Sequence, residues 1–319
     1  MRIRPGLHRV VAPLGERIVA LYLLEGPDGV LLFDTGVDET IAGTLLPYLA
    51  EIGMPTTRIR WAITSHCDFD HTGGSAALLE AAPHVELLAG AADAAMTQDL
   101  ELLIAGRYGE FHEPDGFDDP PELTEHIRAS TRLASLARTI GDGDAFDLGG
   151  GRIVHVLEAP GHSPGHLALW DPSSRALVIG DAVLGTTVPF ADGRAAFPPT
   201  YRDVDPYLAT IERLRAHDAE LLLTAHYPVF EGTAVDAFLD ESADYVAVLD
   251  RALEAALAEA DGPRTTLELI HRIAGDVGPW GPDAAEYLIF PVTGNLERLV
   301  ERGRASVGTR DGLRAWSAA

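Results

Sequence analysis

Residues 65–74 read Ser65-His66-Cys67-Asp68-Phe69-Asp70-His71-Thr72-Gly73-Gly74, and four of these side chains, His66, Asp68, Asp70 and His71, are of types that bind metal cations. The preceding run, Trp61-Ala62-Ile63-Thr64, has the character of a buried strand, and Ser75 to Ala82 that of a helix. The four donors therefore fall on a short loop at a strand's C-terminal edge, where open α/β sheets place their chemistry. At spacings i, i+2, i+4 and i+5 on a tight loop they can converge on one or two cations, and imidazole with carboxylate suits zinc, iron or manganese. The plain alternative is a polar loop with scattered His and Asp. With 12 histidines in 319 residues, chance produces such an H-x-D-x-D-H run in on the order of a few chains per thousand.

Four further motifs follow apolar runs: Asp34-Thr35-Gly36, Pro160-Gly161-His162-Ser163-Pro164-Gly165-His166, Gly180-Asp181 after Ala176 to Ile179, and Ala225-His226 after Leu221 to Thr224. In order, over about residues 1 to 235, the five motifs resemble the metallo-β-lactamase-fold hydrolases, whose signature is H-x-H-x-D-H; Asp68 stands where the second His is commoner. The resemblance implies an α/β fold, a four-layer αβ/βα sandwich of two halves, about 1–140 and 141–235. It also implies a ligand set: His66, Asp68 and His162 around one divalent cation, Asp70, His71 and His226 around a second, and Asp181 bridging them. A hydroxide shared by the ions would attack an ester, thioester or lactone, with Asp70 orienting it. Asp34 would fix a ligand's orientation, and His166 would support the loop that carries His162. Tyr201 is a candidate for the substrate pocket, against the plainer reading of a packed tyrosine.

A carboxylate at position 68 keeps a ligand atom two bonds beyond Cβ but adds a negative charge. It favours harder ions, so beside zinc the sequence admits iron or manganese. The flavodiiron branch of the same superfamily carries a Glu there and holds iron, which opens an iron-dependent oxidoreductase reading; a nuclease or phosphodiesterase is a third, and a metal-free binding protein a fourth. Cys67, between two candidate ligands, is expected to point the opposite way and pack into the strand layer.

The elements that must position these residues are readable in outline. Arg17 to Leu24 and Val30 to Phe33 form a hairpin around a turn-rich break, and Ile41 to Ile52, Asp205 to Arg215 and Val235 to Ala260 have helical period. His84 to Leu88 is expected as a strand before a short helix. Residues 97–143 exceed a simple connection and suggest a lid, with helical stretches at Leu100 to Gly106 and Leu123 to Ile140. After a connecting helix, 236–262, residues 263–319 read helix (Thr266 to Ala274), helix (Asp283 to Glu301) and hairpin, which resembles the winged-helix tail of many of these hydrolases.

Composition bounds the rest. The formal charge is −25, and all 24 basic residues are arginines; this argues against a nucleic-acid partner, since phosphate affinity comes from Lys and Arg. No apolar run reaches the ~18 residues of a membrane helix, and Arg2, Arg4 and Arg9 are not followed by a signal-peptide core. One cysteine excludes an internal disulfide. A cytoplasmic bacterial enzyme acting on a small molecule, compatible with a homodimer, is the expectation.

Overall fold

Apolar runs split by tight turns build the first sheet. In the computed structural model, which describes all 319 residues, the strands Leu7–Leu14, Arg17–Gly26 and Gly29–Phe33 form an antiparallel meander. Ile59–Ile63, Glu86–Gly90 and Arg138–Ile140 extend it in parallel, and Arg2–Arg4 closes the other edge. The second sheet runs, in spatial order, Phe230–Glu231, Leu221–Thr224, Ala176–Gly180, Leu167–Asp171, Ile153–Glu158 and Ala145–Asp147. Its one parallel pair, Ala176–Gly180 with Leu221–Thr224, is joined through the helix Val204–Arg215, as parallel pairing requires a crossover. The two sheets divide near residue 140, where the sequence expectation placed the boundary between halves.

Three apolar clusters define four layers. Tyr22, Leu24, Phe33 and Ile63 from the first sheet face Val156, Leu169, Val178 and Leu223 from the second. The outer face of the first sheet packs on the helical residues Ile41, Leu45, Leu49 and Leu78. The outer face of the second packs on Tyr207, Ile211 and Leu214, and on the long helix Thr233–Ala258 through Phe238, Tyr245 and Leu249. Helices thus cover both outer faces of a sheet sandwich. No helix is long and apolar enough to cross a membrane.

The C-terminal elements join the same core. Thr265 caps the helix Thr266–Val277 in a reciprocal box with Glu268, and Arg264–Thr265, Ala305–Arg310 and Leu313–Ala318 form a three-stranded antiparallel sheet. Leu269, Ile273, Leu296 and Trp316 are contiguous with the cluster behind the second sheet. The expected helix Asp283 to Glu301 is divided into Pro282–Ala285, a tighter turn Glu286–Leu288, and Ile289–Glu301.

The insertion departs further from expectation. The helix Pro121–Ser130 ends well short of Ile140, because the chain beyond it is drawn into extended pairing: Ala76 N–H donates to Arg132 O, and Ala137 N–H to Leu87 O. The strand at Glu86–Gly90 is followed by turns rather than a helix. Asp99 caps Leu100–Leu103, which runs into a π-helical turn, Ile104–Tyr108. Three contacts tie the insertion to the C-terminal elements. Arg202 pairs with Glu110 and Glu297, each at 2.6 Å. Buried Asp115 accepts from Thr266 Oγ1 (2.5 Å) and from Arg314. Tyr287 Oη donates to Asp119 (2.7 Å).

Candidate metal centre

Strand ends from both sheets bring the sequence candidates to one place. Ile59–Ile63 delivers the His66 loop, Gly29–Phe33 delivers Asp34, and Ile153–Glu158, Ala176–Gly180 and Leu221–Thr224 deliver His162, Asp181 and His226. Gly161 makes the His162 turn feasible. Its φ is +136°, and a Cβ there would lie 2.5 Å from Tyr207 Cα, so no other residue fits that backbone. His66, Asp70, His71, His162, Asp181 and His226 are all buried.

The histidines are oriented from behind. Asp34, itself at φ 66°, accepts the backbone N–H of Ser65 (2.6 Å) and pairs with His71 Nδ1 (2.9 Å). His66 Nδ1 lies 2.9 Å from Ser65 Oγ, and His226 Nδ1 donates to Ile18 O at 2.7 Å. Fixing Nδ1 leaves each Nε2 facing inward, the arrangement by which oxygen partners aim imidazoles at a metal.

The inward atoms fall into two groups, linked by His66, His71 and Asp181, whose ligand atoms also lie within 4.8 Å of one another. In the first, His66 Nε2, Asp68 Oδ2 and His162 Nε2 are 3.0–3.3 Å apart. In the second, Asp181 Oδ2 lies 3.1 Å from His226 Nε2 and 3.6 Å from His71 Nε2, while Asp70 lies 3.5 Å from His226 Nε2 and 3.9 Å from His71 Nε2. His71 Nε2 and Asp181 Oδ1 are buried without a hydrogen-bond partner. Orphaned buried polar atoms are costly, and a divalent cation satisfies both; this second group fits one. Its electrostatics agree. Burial lowers the His71 pKa, but Asp34, Asp70 and Asp181 outweigh it and hold the ring well above its ordinary range. Positive charge is wanted there.

The first group is balanced differently. Arg107, from the π-helical turn, donates through Nε to Asp68 Oδ1 (2.8 Å) and through Nη2 to Asp68 Oδ2 (3.2 Å), and its Nη2 lies 3.1 Å from His162 Nε2, which is itself 3.0 Å from Asp68 Oδ2. Burial favours a protonated Asp68, yet Arg107 and the nearby histidines win and hold its carboxyl well below the usual range. Burial, then the guanidinium, pushes His162 down to about 4.

Two expectations change. Tyr201 does not line the cleft: it is fully buried, stacked on Tyr207 at 4.5 Å and hydrogen-bonded by Asn295, and its neighbour Thr200 is the cleft residue. His166 stacks on His66 at 4.7 Å with neither ring nitrogen hydrogen-bonded, so its support is by packing. The loop tie expected of it comes instead from Asp93, which accepts from Ser163 Oγ (2.5 Å), Gly165 N (2.7 Å) and Cys67 N (3.3 Å). Sequence reasoning missed Asp93, Arg107 and Arg17; only Ser65, beside the motif, carried a local cue. Cys67 packs in the cluster behind the first sheet, as expected.

The site opens into a cleft of about 180 Å³. Phe69, Leu123, Ile127, Phe197 and Phe290 supply apolar wall, and Asp68, Asp70, His162, Asp181 and His226 form the floor. Arg17 also lines it, stacked 4.8 Å over Phe197.

The model of the Metallo-beta-lactamase superfamily matches residues 14–226. The chain belongs to that superfamily. A hydroxyacylglutathione hydrolase of Ruegeria pomeroyi is 31% identical over 139 residues, 44% of this chain and 51% of that protein. Another, from Rhodospirillum rubrum, is 26% identical over 46% of this chain and 41% of that protein. The chain thus spans about half the length of these relatives. A probable metallo-hydrolase of Mycobacterium tuberculosis is 28% identical over 65% of this chain and 73% of its own length. Among solved structures, a metallo-beta-lactamase family protein from Thermus thermophilus superposes with a TM-score of 0.77 at 22% identity, covering 99% of this chain and 100% of that one. A beta-lactamase domain protein from Burkholderia ambifaria gives 0.73 at 21%, covering 100% and 94%. These two carry the fold, including the C-terminal elements.

Proposed function

We propose that the chain is a metal-dependent hydrolase of a small-molecule thioester or related ester, with a divalent cation, zinc first, held by Asp70, His71, Asp181 and His226. The observation that carries this is the pair of buried, partnerless atoms His71 Nε2 and Asp181 Oδ1, with Asp181 on the floor of an open cleft. The likeness to two hydroxyacylglutathione hydrolases supports the thioester class. When bound, the cation supplies a Lewis acid and a water of lowered pKa.

The protein's own part is positional. Asp34 and Ile18 O hold His71 and His226 in register. The Asp70 carboxylate lines the cleft and accepts a hydrogen bond from the attacking water, orienting it toward the acyl carbon. Phe69, Phe197 and Phe290 exclude bulk water from the acyl group, and Arg17, which makes no ion pair and rests on Phe197, receives a carboxylate of the substrate. The carboxylate at 68, which in the sequence opened the iron-dependent reading, is engaged by Arg107, so the structure adds nothing to that alternative.

The test is a panel of acyl-thioester, lactone and phosphodiester substrates with zinc-loaded protein. Thioester turnover is expected, with His71→Ala and His226→Ala each losing at least about 10²-fold in kcat/KM while circular dichroism is unchanged. Full turnover in both variants would remove the proposal.

A further inference from the structure

The first donor group carries an inference that rests on the metal-hydrolase reading and goes beyond it. His66 Nε2, Asp68 Oδ2 and His162 Nε2 lie 3.0–3.3 Å apart, near the edge of about 3.3 Å that zinc bonds of ordinary length would span. Those donors already serve a guanidinium. The in-plane position of an imidazole nitrogen serves one partner at a time, so His162 Nε2 accepts from Arg107 Nη2 at 3.1 Å, donates to Asp68 Oδ2 at 3.0 Å, or coordinates an ion. Asp68 is engaged at both oxygens.

Arg107 is not a loose side chain. It is 5% exposed and packs 4.8 Å over the Phe290 ring. Its π-helical turn belongs to an insertion tied to the C-terminal elements by Arg202, Asp115 and Tyr287. An ion among the three donors would also lie against a fixed like charge, with Asp68 already bonded to that guanidinium and Asp181 shared with His71. The second group is the opposite case. Asp70 and Asp181 have only His71 and His226 as charged partners.

We propose that Arg107 is the built-in cation of the first group, and that the chain binds one divalent ion, at Asp70, His71, Asp181 and His226, rather than two. The Asp at position 68 and the arginine act as a unit: the carboxylate that replaces an imidazole is neutralised by a side chain instead of by metal. Arg107 Nη1 bonds no protein atom, and the residue lines the cleft, so this donor is available to a substrate oxygen on the side where a second ion would otherwise act.

The test counts metal. Full-length protein is stripped with chelator, reloaded with excess zinc, desalted and analysed for zinc per chain. About one equivalent is expected, and Asp68→Asn should leave it at about one, since Asp68 holds the arginine and not the ion. Arg107→Ala should raise it toward about two by freeing His162 Nε2 and Asp68. About two equivalents in the wild type would overturn the proposal, and a fall to about one in Asp68→Asn would then show Asp68 holding the second ion. So would Arg107→Ala that stays at about one. No retained zinc in the wild type would instead remove the hydrolase reading itself. The wild-type and Asp68→Asn counts decide the matter even if Arg107→Ala does not fold.

Discussion

Asp34 joins three functions in one side chain. It ends a strand in the left-handed region (φ 66°), satisfies the Ser65 backbone, and pairs with His71 Nδ1. Left-handed backbone is tolerated by Asp and Asn better than by other residues with a Cβ, so Asp34→Asn separates the charge from the turn. The variant should fold normally, yet lose about 10–100-fold in zinc affinity or activity, measured by competition with a chromophoric chelator and by kcat. An unchanged affinity would mean that the carboxylate serves the turn and not the ring. His66, His162 and His226 are legible as candidate ligands because each closely follows a strand end, whether or not an oxygen stands behind Nδ1, as none does at His162. Tyr201 shows the limit. Proximity in sequence to a cleft residue does not say which way a ring turns, and one residue separates Thr200 in the cleft from Tyr201 in the core.

At the scale of elements, the insertion matters through what it is fastened to. Asp115 is wholly buried and bonds both Thr266 and Arg314, linking the insertion to the C-terminal helix and hairpin. Asp115→Ala would leave Arg314, only about one-fifth exposed, with Glu297 at 3.1 Å as its remaining partner. Removing one partner of a buried pair costs about 3–5 kcal/mol, and partial exposure of Arg314 brings the expectation to about 2–3 kcal/mol, read as a lowered denaturant midpoint. The strands and helices of the sandwich were legible because their periodicity reports which face is buried. In the insertion only the helical stretches from Leu100 and around Leu123 were legible. The helical period of Leu123 to Ile140 runs through residues 131–137, but pairing with Leu87 and Ala76 overrides that preference. Arg107 meets Asp68 across 39 positions of chain, a contact that no local spacing announces, and Asp93 ties two loops from a turn with no motif around it.

For the whole molecule, the two sheets and the C-terminal elements behave as one packed body, since Trp316 and Leu296 share a core with Leu177 and Leu222 of the second sheet. Tyr287 and Phe290 from those same elements wall the cleft, so the C-terminal elements shape the site as well as the core. One buried atom makes this body's integrity observable. Cys67 is fully enclosed, and burial, with Asp93 and Asp68 adding to it, raises its thiol pKa well above the ordinary value. A thiol that is neither exposed nor ionised is inert to alkylation until the protein opens. With no other cysteine in the chain, maleimide labelling becomes a single-site clock for that opening: slow in the zinc-loaded protein, and faster by a measurable factor once chelator removes the ion that staples the strand ends together.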